Sequence, residues 1–367
     1  MIEIILIIIL WLFITAQLTN AISFFSDELK KPKIKKYNTD LPNVCILIAA
    51  RNEEQNLQRC IESLLMLNYP KEKLEILFGN DNSSDSTENI LISYSSKHQH
   101  IKYINIYERI GNAKAKANVL SQLIKKTNAP YIFVTDADIT VNPDWINELL
   151  PYLQKNFDIV SGTTILQGNT WWPRMQMIEW LLANAQIIGF DRGGIKTTAV
   201  GNNMAFTRDA YLKTGGYENM EYSVTEDFQL YKYILSNKGK TLNLLNAGCL
   251  NLTSSPNNFI TYLHQRKRWM KGAEGLSFAF KILLTLYAAF FPLVIILLFI
   301  NWYLALLNWI VKFLVQSVII TVAAKRVKQT IRFYDLFLFE IYTNINTLIM
   351  VIFYITPVKM KWKNREG

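Results

Sequence analysis

The chain of 367 residues is 50% hydrophobic and 13% aromatic, which excludes a disordered protein because so much apolar surface can form a large core. Only 19% of its residues are charged, against about 25% in an ordinary soluble protein, so one soluble domain joined to membrane segments is expected rather than a purely soluble enzyme. The net charge of +10 suits an anionic membrane surface or an anionic substrate as well as nucleic acid.

Residues 1–22 predict an N-terminal transmembrane anchor, because the run is apolar apart from Glu3 and a few neutral side chains and a span needs about 20 residues. A cleaved signal peptide is the alternative, but no basic residue precedes the run, and it is longer than the hydrophobic region of a signal. Residues 23–41 form a basic linker that contains Lys30, Lys31, Lys33, Lys35 and Lys36. By the positive-inside rule, the N-terminus lies outside and the linker lies in the cytoplasm.

Residues 42–280 are predicted to form one soluble α/β domain. Val44–Ala50 is a continuous apolar run, typical of a strand buried on both faces, and residues 75–80, 101–106 and 131–135 predict three more strands. Helical patterns separate these strands, so we expect a mainly parallel central sheet with helices on both faces. Neither a Gly-rich dinucleotide fingerprint nor a Walker loop occurs in the sequence.

Polar residues follow three of these strands at their carboxyl ends, where ligands bind in such sheets: Arg51, Asp81 and Asp136. Asp136 and Asp138 lie two residues apart in an extended segment, so their side chains point to one side. Two carboxylates there can hold Mg²⁺ or Mn²⁺ and leave other positions for water and a diphosphate. The alternative is an acidic turn before the next helix.

Two later motifs each allow two interpretations. Thr225 is a good N-cap for a helix that starts with Glu226 and Asp227, and acidic residues in a first turn suit the helix dipole. Alternatively, Asp227 is a general base that deprotonates an acceptor hydroxyl. The motif Gln-Arg-Lys-Arg-Trp at residues 265–269 is either a solvated or lipid-facing basic patch, or a site in which Arg268 binds phosphate and the tryptophan forms an apolar wall for a sugar.

The lysines and cysteines of this domain carry weaker signals. Lys114 and Lys116 begin a predicted helix, where an anion would find free backbone N–H groups, or they form a surface pair. Cys45, Cys60 and Cys249 have no metal-binding spacing, so we interpret them as reduced, buried thiols in a cytosolic compartment.

The C-terminal part of the chain is predicted to return to the membrane. Residues 282–323 form a transmembrane hairpin, and residues 324–367 comprise a basic segment, a third apolar stretch at 333–358 and a basic tail. The third stretch contains Asp335, Glu340, Asn344 and Asn346. A single crossing would bring the basic tail outside, against the positive-inside rule. A spanning, a re-entrant and an interfacial segment therefore all stay open.

Six motifs occur in a recognisable order. They are Ala-Arg-Asn-Glu-Glu at 50–54, the loop with Asp81, Lys-Ala-Asn-Val-Leu at 116–120, the pair Asp136 and Asp138, Thr-Glu-Asp at 225–227 and Gln-Arg-Lys-Arg-Trp at 265–269. With this set, the chain resembles the membrane-integrated family 2 glycosyltransferases over about residues 42–275. Relatives in that family include cellulose, chitin and hyaluronan synthases and ceramide glucosyltransferases. One departure is Asn80, where many members have an aspartate.

The resemblance implies a GT-A fold, a nucleotide-diphosphate sugar donor such as a UDP-sugar, and a divalent cation, Mg²⁺ or Mn²⁺. By position, Asp227 is implied as the general base, and Asp138 as the metal ligand beside Asp136 at the donor. Asp81 would contact the nucleotide, and Lys116 the nucleotide or the diphosphate. The remaining residues implied in substrate binding are Arg51, Glu53, Glu226, Gln265, Arg268 and Trp269, of which the last three would line the diphosphate and the acceptor end.

The expected function is an inverting transfer of a sugar to a membrane lipid or a lipid-linked glycan, with the catalytic domain on the cytoplasmic side of the cell membrane. A processive polysaccharide synthase, acting as an oligomer or with a partner subunit in the membrane, is the alternative. A non-catalytic nucleotide-sugar-binding or scaffold protein is an alternative of another class. Nucleic acid is not expected as a partner, because the basic runs adjoin membrane segments and lack interleaved stacking aromatics.

Overall fold

The structure is a computed structural model that describes residues 1–27, 41–256, 258–276, 278–358, 361–362 and 365–366. The chain divides into two compact units. The first, here called the α/β unit, comprises Pro32–Gln167 and Thr198–Ser254, and the second, the helical unit, comprises Met1–Lys31, Gly168–Thr197 and Ser255–Gly367. The five lysines of the predicted linker lie outside the described residues, as do Lys359 and Lys363 of the basic tail.

The strands of the α/β unit are β1 (Val44–Ala50), β2 (Leu74–Asn80), β3 (Ile101–Asn105), β4 (Tyr131–Asp136), β5 (Ile159–Ser161), β6 (Thr163–Gln167), β7 (Asn203–Thr207), β8 (Thr241–Asn243) and β9 (Leu250–Ser254). Seven of them form one sheet in the order β3-β2-β1-β4-β7-β5-β8, and β6 pairs with β9 in a second sheet. Only β7 runs antiparallel to its neighbours in the large sheet. The predicted α/β fold with a mainly parallel sheet is therefore confirmed.

Helices cover both faces of this sheet. They are α2 (Leu57–Leu65), α3 (Thr87–Lys97), α4 (Ala115–Ile124), α5 (Trp145–Leu153), α7 (Arg208–Lys213) and α8 (Glu226–Ser236), with a 3-10 turn at Lys71–Lys73 and another at Ala247–Cys249. Strand β1 is apolar throughout because Ile46 and Ile48 face the core under α2, α3 and α5, whereas Cys45 and Leu47 face the core under α4, α7 and α8.

The register of the sheet brings the ends of three strands to one edge. Ala50 at the end of β1 is paired with Asn80 at the end of β2, and Ala49 is paired with Asp136 at the end of β4. Because these strands are parallel, the segments that follow them leave the sheet side by side. Strand β7 enters the sheet at the same edge, with Asn203 opposite Thr135.

The helical unit contains α1 (Ile2–Phe25), α6 (Trp171–Arg192), α9 (Phe259–Ala273), α10 (Phe278–Ile300), α11 (Trp302–Arg326) and α12 (Phe333–Ile355), followed by a short strand pair, β10 (Lys361–Trp362) and β11 (Arg365–Glu366). Within the described residues, four helices are long and apolar enough to cross a membrane: Ile2–Phe25, Phe280–Ile300, Trp302–Arg326 and Phe333–Ile355. Such helices mark a membrane protein.

Helix α6 belongs to this unit, although its residues lie within the predicted domain at 42–280. It packs against the end of α1, where Asn20 Nδ2 donates a hydrogen bond to Gln186 O at 3.0 Å. A Cβ atom on Gly189 would lie 2.6 Å from Asn20 O, so the two helices touch there through their backbones. The bounds of the domain at residues 42–280 stay a prediction.

Polar contacts mark the two ends of the bundle formed by α1, α10 and α11. At one end, Asn301, between α10 and α11, donates a hydrogen bond to Glu3 Oε1 at 2.9 Å. At the other end, Asp27 accepts from Arg192 Nε at 2.5 Å and pairs with Arg326 Nη1 at 3.3 Å. Helix α10 therefore starts, and α11 ends, at the Asp27 end of the bundle.

Both ends of α12 lie at this Asp27 end of the bundle. The helix begins shortly after α11 ends, and Asp335 in its first turn is held by Arg174 Nε at 2.8 Å. At its other end, Lys267 of α9 donates to Phe353 O at 3.1 Å and to Thr356 O at 2.7 Å. Helix α9 ends only a few residues before α10 starts. Helix α12 therefore does not run along the full length of the hairpin.

Two polar residues of the third apolar stretch, Glu340 and Asn346, face other helices of the unit. Glu340 is fully buried and accepts hydrogen bonds from Lys312 Nζ at 2.6 Å and from Trp309 Nε1 and Gln316 Nε2, both at 3.0 Å. Asn346 donates to Tyr262 OH at 2.7 Å. Since these groups are paired inside the protein, their presence in the stretch does not expose charge to an apolar surrounding.

Candidate active site

The loops after β1 and β2 are joined to each other by reciprocal hydrogen bonds. Asn52 Oδ1 accepts from Ser84 N at 2.9 Å, and Glu54 exchanges bonds with the facing loop, since its N–H donates to Asp85 Oδ2 at 3.1 Å and its Oε2 accepts from Ser86 N at 3.0 Å. Asn52 adopts a φ of 51°, in the left-handed region that asparagine tolerates better than most residues. The motif at residues 50–54 thus shapes this edge of the sheet.

Arg51 and Glu53, both predicted to bind substrate, are engaged within these loops. Arg51 Nη1 donates to Asp81 O at 2.6 Å, which fixes the backbone of the loop that carries the Asp81 side chain. Glu53 is buried, with 4% of its surface exposed, and its Oε2 accepts from Asn56 Nδ2 at 3.1 Å. Their observed contacts hold the site, and contact with a substrate stays a prediction for both.

Asn80, the departure from the pattern of the family, is part of a buried amide chain. Its Nδ2 donates to Asn105 Oδ1 at 2.8 Å, and Asn105 Nδ2 donates in turn to Glu88 Oε1 at 2.6 Å. Asn80 Oδ1 also accepts from Ser83 N at 3.3 Å. A carboxylate at position 80 could not donate to Asn105 Oδ1, so the amide is the group that this arrangement requires.

Lys116 is the centre of the site, because it joins four separate segments of the α/β unit. Its Nζ lies 2.6 Å from Asp136 Oδ1 at the end of β4 and 2.8 Å from Glu226 Oε1 at the start of α8. It also donates to Gly201 O, before β7, at 3.3 Å. Burial alone would lower the pKa of Lys116, but the two carboxylates raise it above its ordinary value, so the ammonium stays charged.

Asp227 lies beside this cluster and is held by backbone N–H groups. Its Oδ2 accepts from Gly201 N at 2.9 Å, and its Oδ1 accepts from Phe228 N at 2.8 Å. Burial, followed by the charge of Glu226, raises the pKa of Asp227 to about 6, against the opposing effects of Lys116 and the two N–H groups. A carboxylate with a pKa near neutrality suits a general base.

The position of this carboxylate requires a glycine at residue 201. A Cβ atom on Gly201 would lie 2.4 Å from Asp227 Oδ2, closer than any real contact. The backbone at Gly201 thus approaches the Asp227 side chain closely, and its N–H donates to that carboxylate. Asn203 was not singled out by itself, yet it is fully buried and donates from Nδ2 to Thr163 O and Cys249 O, at 2.8 and 2.9 Å.

Asp138 follows β4 in a turn, and its side chain is partly exposed at the same edge. Arg59 Nη2 donates to the backbone oxygen of Asp138 at 3.0 Å, which holds the turn. Cys60 lies beneath: burial, together with the charges of Asp138, Glu53 and Asp136, raises the pKa of its thiol, so the sulfur stays protonated. All three cysteines are free and buried, as predicted.

Gln265, Arg268 and Trp269 lie on α9 in the helical unit. The ring of Trp269 packs edge-on against Trp180 at 5.3 Å and under the guanidinium of Arg266 at 4.4 Å. The roles of the three residues toward donor and acceptor stay predictions.

The interpretation of the basic motif at residues 265–269 as a solvated patch is wrong for Arg266 and Lys267. Arg266 has 7% of its surface exposed and donates to Glu179 Oε2 at 2.7 Å. Lys267 has 4% exposed and holds the end of α12. No local pattern indicates these partners, because they are distant along the chain.

Two family profiles match this chain. That of "Glycosyl transferase family 2" matches residues 45–215, and that of "Glycosyl transferase family group 2" matches residues 131–356, which is more than half of the chain. The chain belongs to the family 2 glycosyltransferases. The predicted family, enzyme class and GT-A fold are thereby confirmed.

Relatives of this glycosyltransferase include enzymes named for a lipid and for a polysaccharide product. It is 27% identical over 235 residues to a beta-monoglucosyldiacylglycerol synthase of Synechocystis sp., covering 63% of this chain and 48% of that protein. It is 27% identical over 255 residues to a poly-beta-1,6-N-acetyl-D-glucosamine synthase of Staphylococcus epidermidis, covering 66% of this chain and 57% of that protein. The glycosyltransferase thus spans about half the length of these curated relatives.

The fold of the glycosyltransferase resembles that of a solved enzyme along nearly its whole length. The mannosyltransferase PcManGT from Pyrobaculum calidifontis, solved in complex with GDP-Man and Mn²⁺, superposes with a TM-score of 0.60. The match covers 96% of this chain and 98% of that chain at 16% sequence identity. At that identity, the likeness concerns the fold alone.

Proposed function

We propose that this glycosyltransferase moves one sugar from a nucleotide-diphosphate sugar to a membrane-associated acceptor, a lipid or a lipid-linked glycan, with inversion at the anomeric carbon. The observation that carries the proposal is the cluster around Lys116. Asp136 and Glu226, from segments 90 residues apart in the sequence, meet at this one ammonium, and Asp227 lies next to Glu226. Such a convergence of carboxylates at the ligand-binding edge of a sheet is typical of an active site.

Asp227 is proposed as the general base. An inverting transfer is a single displacement, in which the acceptor oxygen bonds to the anomeric carbon while the bond to the diphosphate breaks. The proton of the acceptor hydroxyl passes to Asp227, and the bonding electrons leave with the diphosphate. The two backbone N–H groups at the carboxylate fix its direction, and its pKa of about 6 leaves it ionised and able to accept a proton at neutral pH.

The charge of the cluster supports a divalent cation at the donor. Three carboxylates, those of Asp136, Glu226 and Asp227, face one ammonium, that of Lys116, so the cluster is negative and would repel a bare diphosphate. Among the described residues, no group of three His, Cys, Asp or Glu side chains converges as a complete metal cage. Mg²⁺ is usually bound by one or two carboxylates, and water and diphosphate oxygens complete its coordination shell.

The residues present therefore fit such a cation, and Asp138, with Asp136, is proposed to hold it. The cation would neutralise charge on the leaving diphosphate. The Mn²⁺ in the PcManGT complex supports the use of a divalent cation. Arg51 and Glu53 are proposed to form the wall of the donor site, and Asp81 to contact the nucleotide. Gln265, Arg268 and Trp269 are proposed to act on the diphosphate and acceptor.

A lipid acceptor is supported by the diacylglycerol named for the Synechocystis relative and by the apolar helices of this chain. The second candidate is a processive polysaccharide synthase, supported by the polymer named for the Staphylococcus relative. Of the two we favour single transfer, because the named lipid and the apolar helices both support a membrane acceptor.

The deciding experiment is a panel of nucleotide-sugars, with UDP-sugars and GDP-Man among them, incubated with membranes that contain the protein, followed by mass spectrometry of the lipid extract. We expect one donor, a UDP-sugar, to give a lipid product heavier by a single sugar, and the activity to be lost in a chelator and restored by Mg²⁺ or Mn²⁺. A ladder of products would favour the synthase, and no turnover of any donor would contradict the proposed function.

A further inference from the structure

A small crevice lies beside the Lys116 cluster. Its cavity volume is about 10 Å³, which is room for one water molecule or one hydroxyl group. Its walls come from the start of α4 and from the segment that leads into α8. They include Ala113, Ala117, Tyr217, Met220, Glu226 and Gln229. The crevice thus shares Glu226 with the proposed active site.

The hydroxyl group of Tyr217 is buried without a partner. Only 3% of the residue is exposed, and its Oη atom has no hydrogen-bond partner among the described residues. Buried polar groups are almost always paired, so an orphaned hydroxyl needs an explanation. Two other buried tyrosines of the α/β unit do have partners: Tyr231 OH lies 3.2 Å from Thr241 Oγ1, and Tyr211 OH accepts from Tyr217 N at 3.0 Å.

The surroundings of this hydroxyl indicate the chemistry of a ligand. Burial, and then the charges of Glu226 and Asp227, raise the pKa of Tyr217 well above its ordinary value, so the group remains a hydrogen-bond donor. The carboxylate of Glu226 disfavours a phosphate in the crevice, and the nearby ammonium of Lys116 is already paired with two carboxylates. A neutral hydroxyl fits, because Tyr217 can donate to it, Glu226 can accept from it, and Met220 and the alanines can contact its carbon.

We propose that the crevice is a subsite for a neutral carbohydrate or glycerol hydroxyl, in which Tyr217 donates a hydrogen bond to that hydroxyl and positions the substrate beside Asp227. The inference rests on the proposed function. The hydroxyl has two sources, the donor sugar and the acceptor.

The test compares Tyr217→Phe with the matched control Tyr231→Phe, which loses a hydroxyl that already has a partner. For each protein, KM and kcat are measured for donor hydrolysis without acceptor and for transfer to the acceptor, together with the unfolding temperature. We expect the unfolding temperature of Tyr217→Phe to be no lower than that of the wild type. One of its KM values should rise about 3- to 10-fold, as expected for the loss of one hydrogen bond. Tyr231→Phe should lower the unfolding temperature and leave both KM values unchanged.

The two sources give different patterns. If Tyr217→Phe raises the KM for the donor even in hydrolysis without acceptor, the hydroxyl belongs to the donor sugar. If the variant raises only the KM for the acceptor, the hydroxyl belongs to the acceptor. A second variant, Ala117→Val, narrows the crevice without removing a hydroxyl, and it should raise the same KM.

Unchanged KM values in both Tyr217→Phe and Ala117→Val would overturn the subsite and leave an ordered water as the partner of the hydroxyl. A wild-type protein that turns over no donor refutes the proposed function instead, whereas an active wild type with unaffected variants refutes the subsite alone.

Discussion

At the scale of single residues, the site depends on how each carboxylate is surrounded. Glu226 and Asp227 are neighbours in the chain and carry the same group, yet they have different partners. Glu226 is paired with Lys116, whereas Asp227 is held by the N–H groups of Gly201 and Phe228. The neighbouring charge and burial raise the pKa of Asp227, and these surroundings make it the better candidate for accepting a proton.

The substitution Asp227→Asn tests this role directly. The amide oxygen of asparagine can still accept from Gly201 N, so the backbone should stay in place, but the side chain can no longer take up a proton. We expect kcat to fall about 10²- to 10⁴-fold while donor binding stays within about twofold. The exposed Asp209, paired with Lys213, provides the control Asp209→Asn, which should leave activity unchanged. Retention of most activity by Asp227→Asn would exclude it as the base.

The pH dependence of the wild type should report the same group. Below its pKa, Asp227 is protonated and cannot act as a base, so kcat/KM should rise as the pH increases through about 6 and then level off. The rising limb should be absent in the residual activity of Asp227→Asn. If the rise of activity with pH persists unchanged in Asp227→Asn, it reports the ionisation of another group.

The substitution Gly201→Ala should displace the Asp227 carboxylate without changing the carboxylate itself. The added methyl group would lie 2.4 Å from Asp227 Oδ2, so either the carboxylate or the loop must move. We expect kcat to fall at least 10-fold, because a general base must be in place to within a fraction of an ångström. Gly193→Ala is the control, since its nearest neighbours lie at 3.3 Å or more. Equal activity of the two variants would contradict the described geometry.

At the scale of elements, buried polar pairs decide how the helices of the helical unit pack. The carboxylate of Glu340 on α12 is surrounded by donors of α11, of which Lys312 is the charged one. A charge without its partner in such a place is strongly destabilising, whereas removal of both charges is often nearly neutral.

Lys312→Met should therefore be more harmful than the double variant Lys312→Met with Glu340→Gln. We expect the single variant to lose about 3–5 kcal/mol of stability in detergent, measured by thermal unfolding, and the double variant to recover most of it. The exposed pair of Lys213 and Asp209 should show no measurable coupling in the same comparison, because solvent screens it. If the double variant loses at least as much stability as Lys312→Met, the two side chains do not interact.

At the scale of the whole molecule, the path of α12 bears on the number of membrane crossings. Both ends of this helix lie where α10 starts and α11 ends, with Arg174 at one end and Lys267 at the other. We therefore expect three full crossings, by α1, α10 and α11, whereas α12 returns to the side from which it starts. The basic tail then stays on the side where α10 starts, in agreement with the positive-inside rule.

This topology can be measured with a single cysteine added after Gly367 and a thiol reagent that does not cross membranes. The cysteines of the native chain that the structure describes are buried, so they should react little in the folded protein. The added cysteine should be labelled in inverted vesicles and protected in vesicles of native orientation. A cysteine added before Met1 should show the opposite pattern. Labelling of both termini from the same side would require an even number of crossings.

Local patterns in the sequence were sufficient for the elements and for the family. An apolar run such as Val44–Ala50 predicts a buried strand because its side chains must leave water on both faces of a sheet, and the first strand and its parallel partners lie where this rule places them. The apolar helices follow from length and composition alone. The position of Asp136 at the edge of the sheet follows from parallel strands that end together.

The tertiary structure alone decided which groups meet. No rule of periodicity or spacing pairs Lys116 with both Asp136 and Glu226, brings Gly201 against Asp227, or leaves the hydroxyl of Tyr217 unpaired beside Glu226. The same holds for the two ends of α12, whose partners lie on α6 and α9. Secondary structure depends on near neighbours in the chain, whereas distances, burial and pKa values depend on residues that only the packed fold brings together.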